Sequence, residues 1–576
     1  MTAIAKISEL CKQVLQKFAT FVNSIIPFMK KTIAIIAPLI DSSQFNLDYS
    51  LRLKKSKRDL SLAAFYEMAN DGFNTNHSLR IQSHEEDIPS AGYYLQGVLR
   101  QNGYDTILTN KYDTQTLKEL ARRDLFAVCI STTMIITSES FILLLISIRK
   151  ELPGVAIIAG GVFLWKHYMQ YKRHLQSPEV FPLYKEIFFH PSNAQNEADV
   201  LIVAKHGISS FLSVLSELDN GSKKSYDHIP NLCLSGTNGF TFTKRVTEEV
   251  NFNDDFTRWD MMDEMPLKIP LRTSVGCPYR CGFCDFCQIY PQIFFRSSES
   301  LRKELNLIKN RLKGNVALIH VTDDNVFINS NRLFDVCQVF SESGLANWVG
   351  FMRGGEYTEQ ELLAIQRSGL RMGMIGVESG DQDQLDRMNK HQKAYKVKRG
   401  IEQLDAIGIN VLMTFVVGYP GENEITLANT INFLNDLKLT NLSASYQVYP
   451  LLIQSLAELA QPDVREKWHI EGFMDHWSHY SMNSSEALTA CHNVFRRVTN
   501  IPYNYLDESQ FFNRGMFDYQ TRKELFSLRH LLSTKYMDAA PFEETEPILR
   551  RMVSLMDLST EGIEKLKGEI YLPTGG

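Results

Sequence analysis

Four cysteines fall within the run Gly276-Cys-Pro-Tyr-Arg-Cys-Gly-Phe-Cys-Asp-Phe-Cys287. Thiolates are the usual ligands of iron–sulfur clusters. The C-x3-C-x2-C spacing of Cys277, Cys281 and Cys284 suits three corners of a cubane and leaves the fourth iron open. Such an iron can chelate an amino and a carboxylate group. Zinc is the competing reading, with Cys287 as a fourth thiolate. Zinc sites more often join two separated C-x2-C pairs, and four thiolates in one short loop are poor tetrahedral geometry. Cys287 also competes with Cys284 for the third cluster position. The Cys281-Gly-Phe-Cys284 spacing favours Cys284 and leaves Cys287 as a neighbouring or reactive extra thiol.

Three other segments carry groups of chemical interest. His320-Val-Thr-Asp-Asp-Asn325 offers two adjacent carboxylates, which also suit a helix N-cap. Ile375-Gly-Val-Glu-Ser-Gly380 places a carboxylate at the end of an apolar run, where burial is costly unless it is paired. Gly418-Tyr-Pro-Gly-Glu422 is rich in residues that make tight turns.

The elements that must position these groups read as strands alternating with helices. Apolar runs at 269–273, 316–321, 348–351, 372–377, 411–417 and 443–449 read as strands. Helical patterns such as 300–312 and 425–437 lie between them. Six strand–helix units point to an open partial barrel over 263–454, with its active site at the carboxyl ends of the strands. The cysteine loop and all three segments above fall at such ends. An earlier alternation, with strands at 32–39, 105–108, 125–131 and 155–159, indicates a parallel doubly wound sheet over 32–215. Residues 216–262 read as a linker with a short hairpin, and 455–576 as a mostly helical region. The fold class is therefore α/β, a Rossmann-like sheet and then a partial barrel, followed by a mostly helical C-terminal region. Apolar residues at helical spacing in 1–31 suggest an amphipathic helix packed on the protein, with a membrane-surface helix as the minor alternative.

The cysteine loop, with aromatic Phe283 before the third cysteine, resembles that of the radical S-adenosylmethionine (SAM) superfamily. The order of the domains is similar to its cobalamin-dependent branch, over about residues 30–540. The resemblance implies a [4Fe–4S] cluster on Cys277, Cys281 and Cys284, reductive cleavage of SAM, and a 5′-deoxyadenosyl radical. It assigns Thr322, Asp323 and Asp324 to the SAM amino group, and Glu378 and Ser379 to the ribose. It places Gly418, Pro420 and Gly421 against the adenine. A Gly354-Gly355-Glu356 triplet imitates the family's amino-group motif, but it follows the third strand rather than the second and reads as a decoy.

The branch also implies cobalamin, held in its base-off form by the loops after the N-terminal strands. Ser131, Thr132, Gly160 and Gly161 are the small residues that would let the corrin approach, although small residues also simply end strands. No D-x-H-x-x-G motif occurs. The family's Gly-Glu-Gly-Glu-like segment is replaced by Val203-Ala-Lys-His-Gly207, and 166–197 reads as an insertion. The expected reaction is cobalamin-dependent methylation of an unactivated carbon. Cyclisation, oxidation or ring rearrangement is the alternative, and a non-catalytic Fe–S or corrin-binding protein is the alternative of another class. In the C-terminal region, Trp468, His469, Trp477, His479 and Tyr480 read as packing or as a cap over the barrel.

Composition limits the rest. The 576 residues carry a net charge of −5 and no long basic run, so nothing points to nucleic acid. No apolar run is long enough to span a bilayer. Nine cysteines in a large chain do not make a disulfide scaffold, and their clustering fits a reducing, cytoplasmic setting. The expected partners are an electron donor such as flavodoxin or ferredoxin and a substrate that the sequence does not define: a small molecule, lipid or peptide.

Overall fold

The computed structural model describes residues 30–39, 87–220, 225–236, 239–315, 317–505 and 518–555. It also describes the backbone of three short strands at Leu53–Lys55, Arg58–Leu60 and Ile570–Tyr571. The helix expected near the N-terminus lies outside these residues.

The first layer is a parallel sheet. Its strands are β1 (Thr32–Ile36), β2 (Asp105–Thr109), β3 (Leu125–Ser131), β4 (Ala156–Gly160) and β5 (Val200–Ile202), in spatial order β2-β1-β3-β4-β5. The hairpin expected in the linker is β6 (Leu232–Gly236) and β7 (Gly239–Phe242). It extends this sheet as an antiparallel edge rather than standing apart. Short loops and buried apolar strands made the parallel part legible. The hairpin's pairing is a long-range contact that local pattern does not reveal.

Alternation along each strand sends side chains to opposite faces. Ala34, Ile36, Val128 and Ile130 pack with Phe141, Leu144 and Phe163 on one face. Ile33, Ile35, Ala127 and Cys129 pack with Leu99, Phe211 and Val214 on the other. Both faces are covered by helices, as buried parallel strands require.

The second sheet is the expected open barrel. Six parallel strands follow in sequence order: β8 (Lys268–Leu271), β9 (Leu318–Val321), β10 (Trp348–Met352), β11 (Leu370–Glu378), β12 (Asn410–Val417) and β13 (Ala444–Pro450). Outward residues such as Ile319, Trp348, Ile375, Met413 and Tyr446 form the main core beneath the helices. Val349, Met374 and Leu412 form a separate inner cluster. The edge of β13 is closed by the following chain, through Tyr446 N to Pro502 O (3.0 Å) and Asn504 N to Tyr446 O (2.8 Å).

The C-terminal region is helical at Pro462–Trp468, Ser484–Arg497, Tyr519–Met537 and Phe542–Leu555. It also holds a small antiparallel sheet of Glu471–Phe473, His476–His479 and Met482–Asn483, which the sequence reading did not contain. No described helix is long and apolar enough to cross a membrane.

Candidate active site

The cysteine loop leaves the end of β8 on a clamped strand. Asp323, which is 2% exposed, accepts hydrogen bonds from Thr273 N (2.6 Å), Thr273 Oγ1 (2.5 Å) and Ser274 Oγ (2.6 Å). From the other side Arg332 donates to Thr273 O at 2.7 Å, and Arg296 donates to Arg272 O at 2.8 Å. Arg296 is itself held by Glu304 at 2.5 Å, which also accepts from Trp259 Nε1 at 2.8 Å. Asp323 is therefore spent on the protein's own Thr273 and Ser274, and its geometry is that of a clamp. Its neighbour Asp324 accepts from Gly276 N at 3.2 Å, and burial raises its carboxyl above the usual range. Gly276 turns the chain at φ +88, where a Cβ would come within 2.8 Å of Gln292 O.

Cys281 is buried, and Cys277 and Cys284 are half-buried. Cys281 lies close enough to Cys277, Cys284 and Cys287 to disfavour their ionised forms further. Burial pushes the Cys277 and Cys284 thiols up, so their ionised form needs a cation beside it. A metal centre supplies that charge. Among the described residues no three of His, Cys, Asp and Glu converge on a single ion position. A cubane does not require this, because its thiolates bind separate irons. These observations fit a cluster on the three cysteines. Cys287 Sγ lies 3.8 Å from Cys284 O.

A second loop, residues 388–392, latches onto the first. Gly282 N donates to Met388 O (2.9 Å) and Asn389 Nδ2 to Arg280 O (2.8 Å). Lys390 pairs with Glu378 at 2.7 Å, both buried, and its ammonium lies 5.9 Å from the centre of the Phe283 ring. Asn389, His391 and Glu378 all adopt left-handed backbone, at φ 54, 51 and 68. Strain of this kind at non-glycine residues gathers at functional sites. Gly376 makes room for the pair, since a Cβ there would fall 2.4 Å from Glu378 Oε1. Arg353 stacks over Tyr279 (3.5 Å to the ring centre), donates to Lys390 O, and brings Nη1 to 3.9 Å from Cys281 Sγ.

The other predicted residues divide. Ser379 turns inward, to Thr430 Oγ1 at 3.2 Å, and accepts from Asp381 N at 3.1 Å. Gly418 and Gly421 both have φ +94, and a Cβ on Gly418 would meet Trp477 at 2.7 Å. His479 Nε2 lies 2.8 Å from Gly418 O, and Trp477 Nε1 donates to Leu451 O at 2.8 Å. The small C-terminal sheet thus braces the Gly418–Glu422 turn, which contains Pro420. Trp468 stacks on Tyr480. The Gly354-Gly355-Glu356 triplet serves packing: a Cβ on Gly400 would strike Gly355 O, and Glu356 pairs with Arg399 at 2.7 Å.

A cleft of about 570 Å³ separates the two sheets at their carboxyl edges. Ser131, Gly160 and Gly161 line it from the first sheet, Thr322 and Arg272 from the barrel, and Tyr290 from beyond the cysteine loop. Thr132 lies behind this wall, fully buried against Gly161, and its hydroxyl has no partner among the described residues. The floor is thus made of small residues, as a flat macrocycle would need. Lys166, at the start of the segment read as an insertion, pairs with Asp285 at 2.6 Å and ties the first domain to the cysteine loop. Asn389, Lys390, Arg353, Arg272 and Lys166 had no signal in the sequence as site residues, and Lys205 and His206 stood out only as part of the Val203–Gly207 segment.

Residues 271–434 match the model of the radical SAM superfamily. An uncharacterized methyltransferase of Pyrococcus horikoshii is 24% identical over 179 residues, 31% of this chain and 38% of that protein. The anaerobic magnesium-protoporphyrin IX monomethyl ester cyclase of Rubrivivax gelatinosus is 19% identical over 60% of this chain and 61% of its own. In both cases the match spans less than two thirds of the relative. Among solved structures, the radical SAM methyltransferase TsrM from Kitasatospora setae, with cobalamin and a [4Fe–4S] cluster bound, aligns with a TM-score of 0.53 at 12% identity. That alignment covers 91% of this chain and 99% of that one. The cobalamin-dependent radical SAM enzyme OxsB, with aqua-cobalamin and SAM bound, aligns at 0.52 with 14% identity, over 92% of this chain and 76% of that one. At these identities the likeness is one of fold. It embraces the first sheet, the barrel and the C-terminal region together.

Proposed function

We propose that this chain, whose residues 271–434 are a radical SAM domain, reductively cleaves SAM at a [4Fe–4S] cluster on Cys277, Cys281 and Cys284 and methylates an unactivated carbon with cobalamin held in the cleft. One observation carries the reading. A single cleft is walled by the carboxyl edges of both sheets, so a ligand resting on Ser131, Gly160 and Gly161 faces Thr322 and the start of the cysteine loop.

Cys277, Cys281 and Cys284 would hold a cluster able to supply the electron for reductive cleavage of SAM, and Ser131, Gly160 and Gly161 would bear a corrinoid able to supply a methyl group. The protein places and shields. Asp323, Arg332 and Arg296 fix the strand that delivers the cysteines. The 388–392 latch holds the loop's far side and keeps Glu378 beside Lys390. Asp324, which meets the loop at Gly276 N, is the acidic group we assign to an ammonium, since Asp285 is paired with Lys166. The Gly418–Gly421 turn offers backbone rather than side chains to a planar base. An electron donor such as flavodoxin or ferredoxin would reduce the cluster.

A second reading keeps the radical step without methyl transfer. Of the two relatives described by sequence, the one matching the larger share of this chain, 60%, is a cyclase. Product mass separates the two, since methylation adds one CH2. The first experiment is purification without oxygen followed by iron and cobalt analysis. About four irons with one cobalt per chain support the cobalamin-dependent reading. Iron without cobalt, even after reconstitution with cobalamin, removes cobalamin from it and leaves the cyclase-type reading.

A further inference from the structure

The cleft carries a basic patch to which both domains contribute. Lys205 and His206 follow β5, and Arg272 follows β8; all three line the cleft around Tyr290. The Lys205 ammonium lies 4.3 Å from the centre of the Tyr290 ring, and the His206 ring centre lies 5.8 Å from it. Arg272 acts on Tyr290, His206 and Asp324 together. Burial first, then Lys205 and Arg272, depress His206 to about 4, so it is neutral beside two cations.

The acids of the cleft are mostly engaged elsewhere. Glu248 accepts from Ser209 N (2.8 Å), Ser210 N (3.0 Å) and Ser210 Oγ (2.7 Å). Glu304 serves Arg296 and Trp259, and Asp255 accepts from Tyr94 at 2.6 Å. Asp254 accepts from Asn251, Asp324 accepts from Gly276 N, and Glu249 is exposed on the linker. Among the described residues neither the Arg272 guanidinium nor the Lys205 ammonium has a carboxylate partner. Two like charges held in a half-enclosed cleft repel each other unless an anion joins them. A guanidinium fork matches the paired oxygens of a carboxylate or phosphate, and a neutral imidazole adds a further hydrogen-bonding group.

We infer that Lys205, His206 and Arg272 form an anion-binding subsite that takes an oxyanion of a ligand in the cleft. This rests on the proposed role of the cleft. The oxyanion belongs either to the substrate, as a carboxylate or phosphate, or to the phosphate of the corrinoid's nucleotide loop.

The test compares cluster-reconstituted wild type with Arg272→Gln and Lys205→Gln. Among the described residues neither side chain makes a hydrogen bond that holds the fold, and equal iron content confirms that each variant is intact; if one is not, the other carries the test. Three probes are titrated by calorimetry: inorganic pyrophosphate, hydroxocobalamin, and cobinamide, which lacks the nucleotide-loop phosphate. Pyrophosphate binding weakened about tenfold in the variants, with both corrinoids unaffected, supports a subsite for the substrate. Hydroxocobalamin weakened about tenfold with cobinamide unaffected identifies the corrinoid phosphate. Unchanged affinity for both pyrophosphate and hydroxocobalamin overturns the subsite. If wild type binds no corrinoid, the cobalamin reading fails and pyrophosphate alone decides the subsite.

Discussion

Lys390 Nζ lies 2.7 Å from Glu378 Oε1, with both side chains buried, and Glu378 reaches it from left-handed backbone at the end of a barrel strand. The same lysine's carbonyl accepts from Arg353, which also stacks on Tyr279 of the cysteine loop. One ion pair therefore links the strand end assigned to SAM with the loop assigned to the cluster.

Breaking that pair should be costly. Removing one partner of a buried ion pair strands the other, at about 3–5 kcal/mol. Lys390→Met should lower the midpoint of thermal unfolding and weaken SAM binding measured by calorimetry. Stability and SAM affinity equal to wild type would show that the latch is incidental.

The two adjacent carboxylates should behave differently. Asp323→Asn disturbs three short hydrogen bonds to a buried charge, each worth about 1.5–3 kcal/mol, so stability and cluster occupancy should both fall. Asp324→Asn removes the charge but keeps an acceptor for Gly276 N, so it should keep its cluster while SAM binds more weakly. Iron content and SAM affinity, measured side by side, separate a clamp from a ligand-facing group.

Glu422 gives a pH signature. Burial pushes its carboxyl from 4.5 up to about 7, against hydrogen bonds from Thr426 and Gly418. The folded protein then holds a proton that the unfolded chain has released. The resulting stability is full below pH 4.5 and is lost as pH rises through about 7. Glu422→Gln should remove this dependence and stabilise the protein above pH 7 by up to about 3 kcal/mol. Denaturation curves between pH 5 and 8 check it; identical slopes for variant and wild type would refute it.

Much of this was legible in sequence because it is local. The cysteine spacing, the six strands and the turns that end them are written in consecutive residues. What was not legible depends on distant segments meeting. Asp323 and Glu378 looked like ligand-facing carboxylates, yet their partners Thr273 and Lys390 come from other loops. Ser379 looked alike and turns to Thr430 on a helix. Arg272, Lys205 and His206 belong to two domains and share a wall only after both sheets have docked. The Gly354-Gly355-Glu356 triplet imitates a motif, but Gly354 answers the close approach of Val397, and the Gly355 carbonyl lies where a side chain on Gly400 would fall.

The central claim is radical cleavage of SAM on the three cysteines, and the most direct measurement is 5′-deoxyadenosine. Anaerobically reconstituted protein, a reductant and SAM are incubated, and the nucleoside is quantified in wild type and Cys281→Ala. The account predicts 5′-deoxyadenosine from wild type and none above background from the variant. Equal production by Cys281→Ala would contradict it.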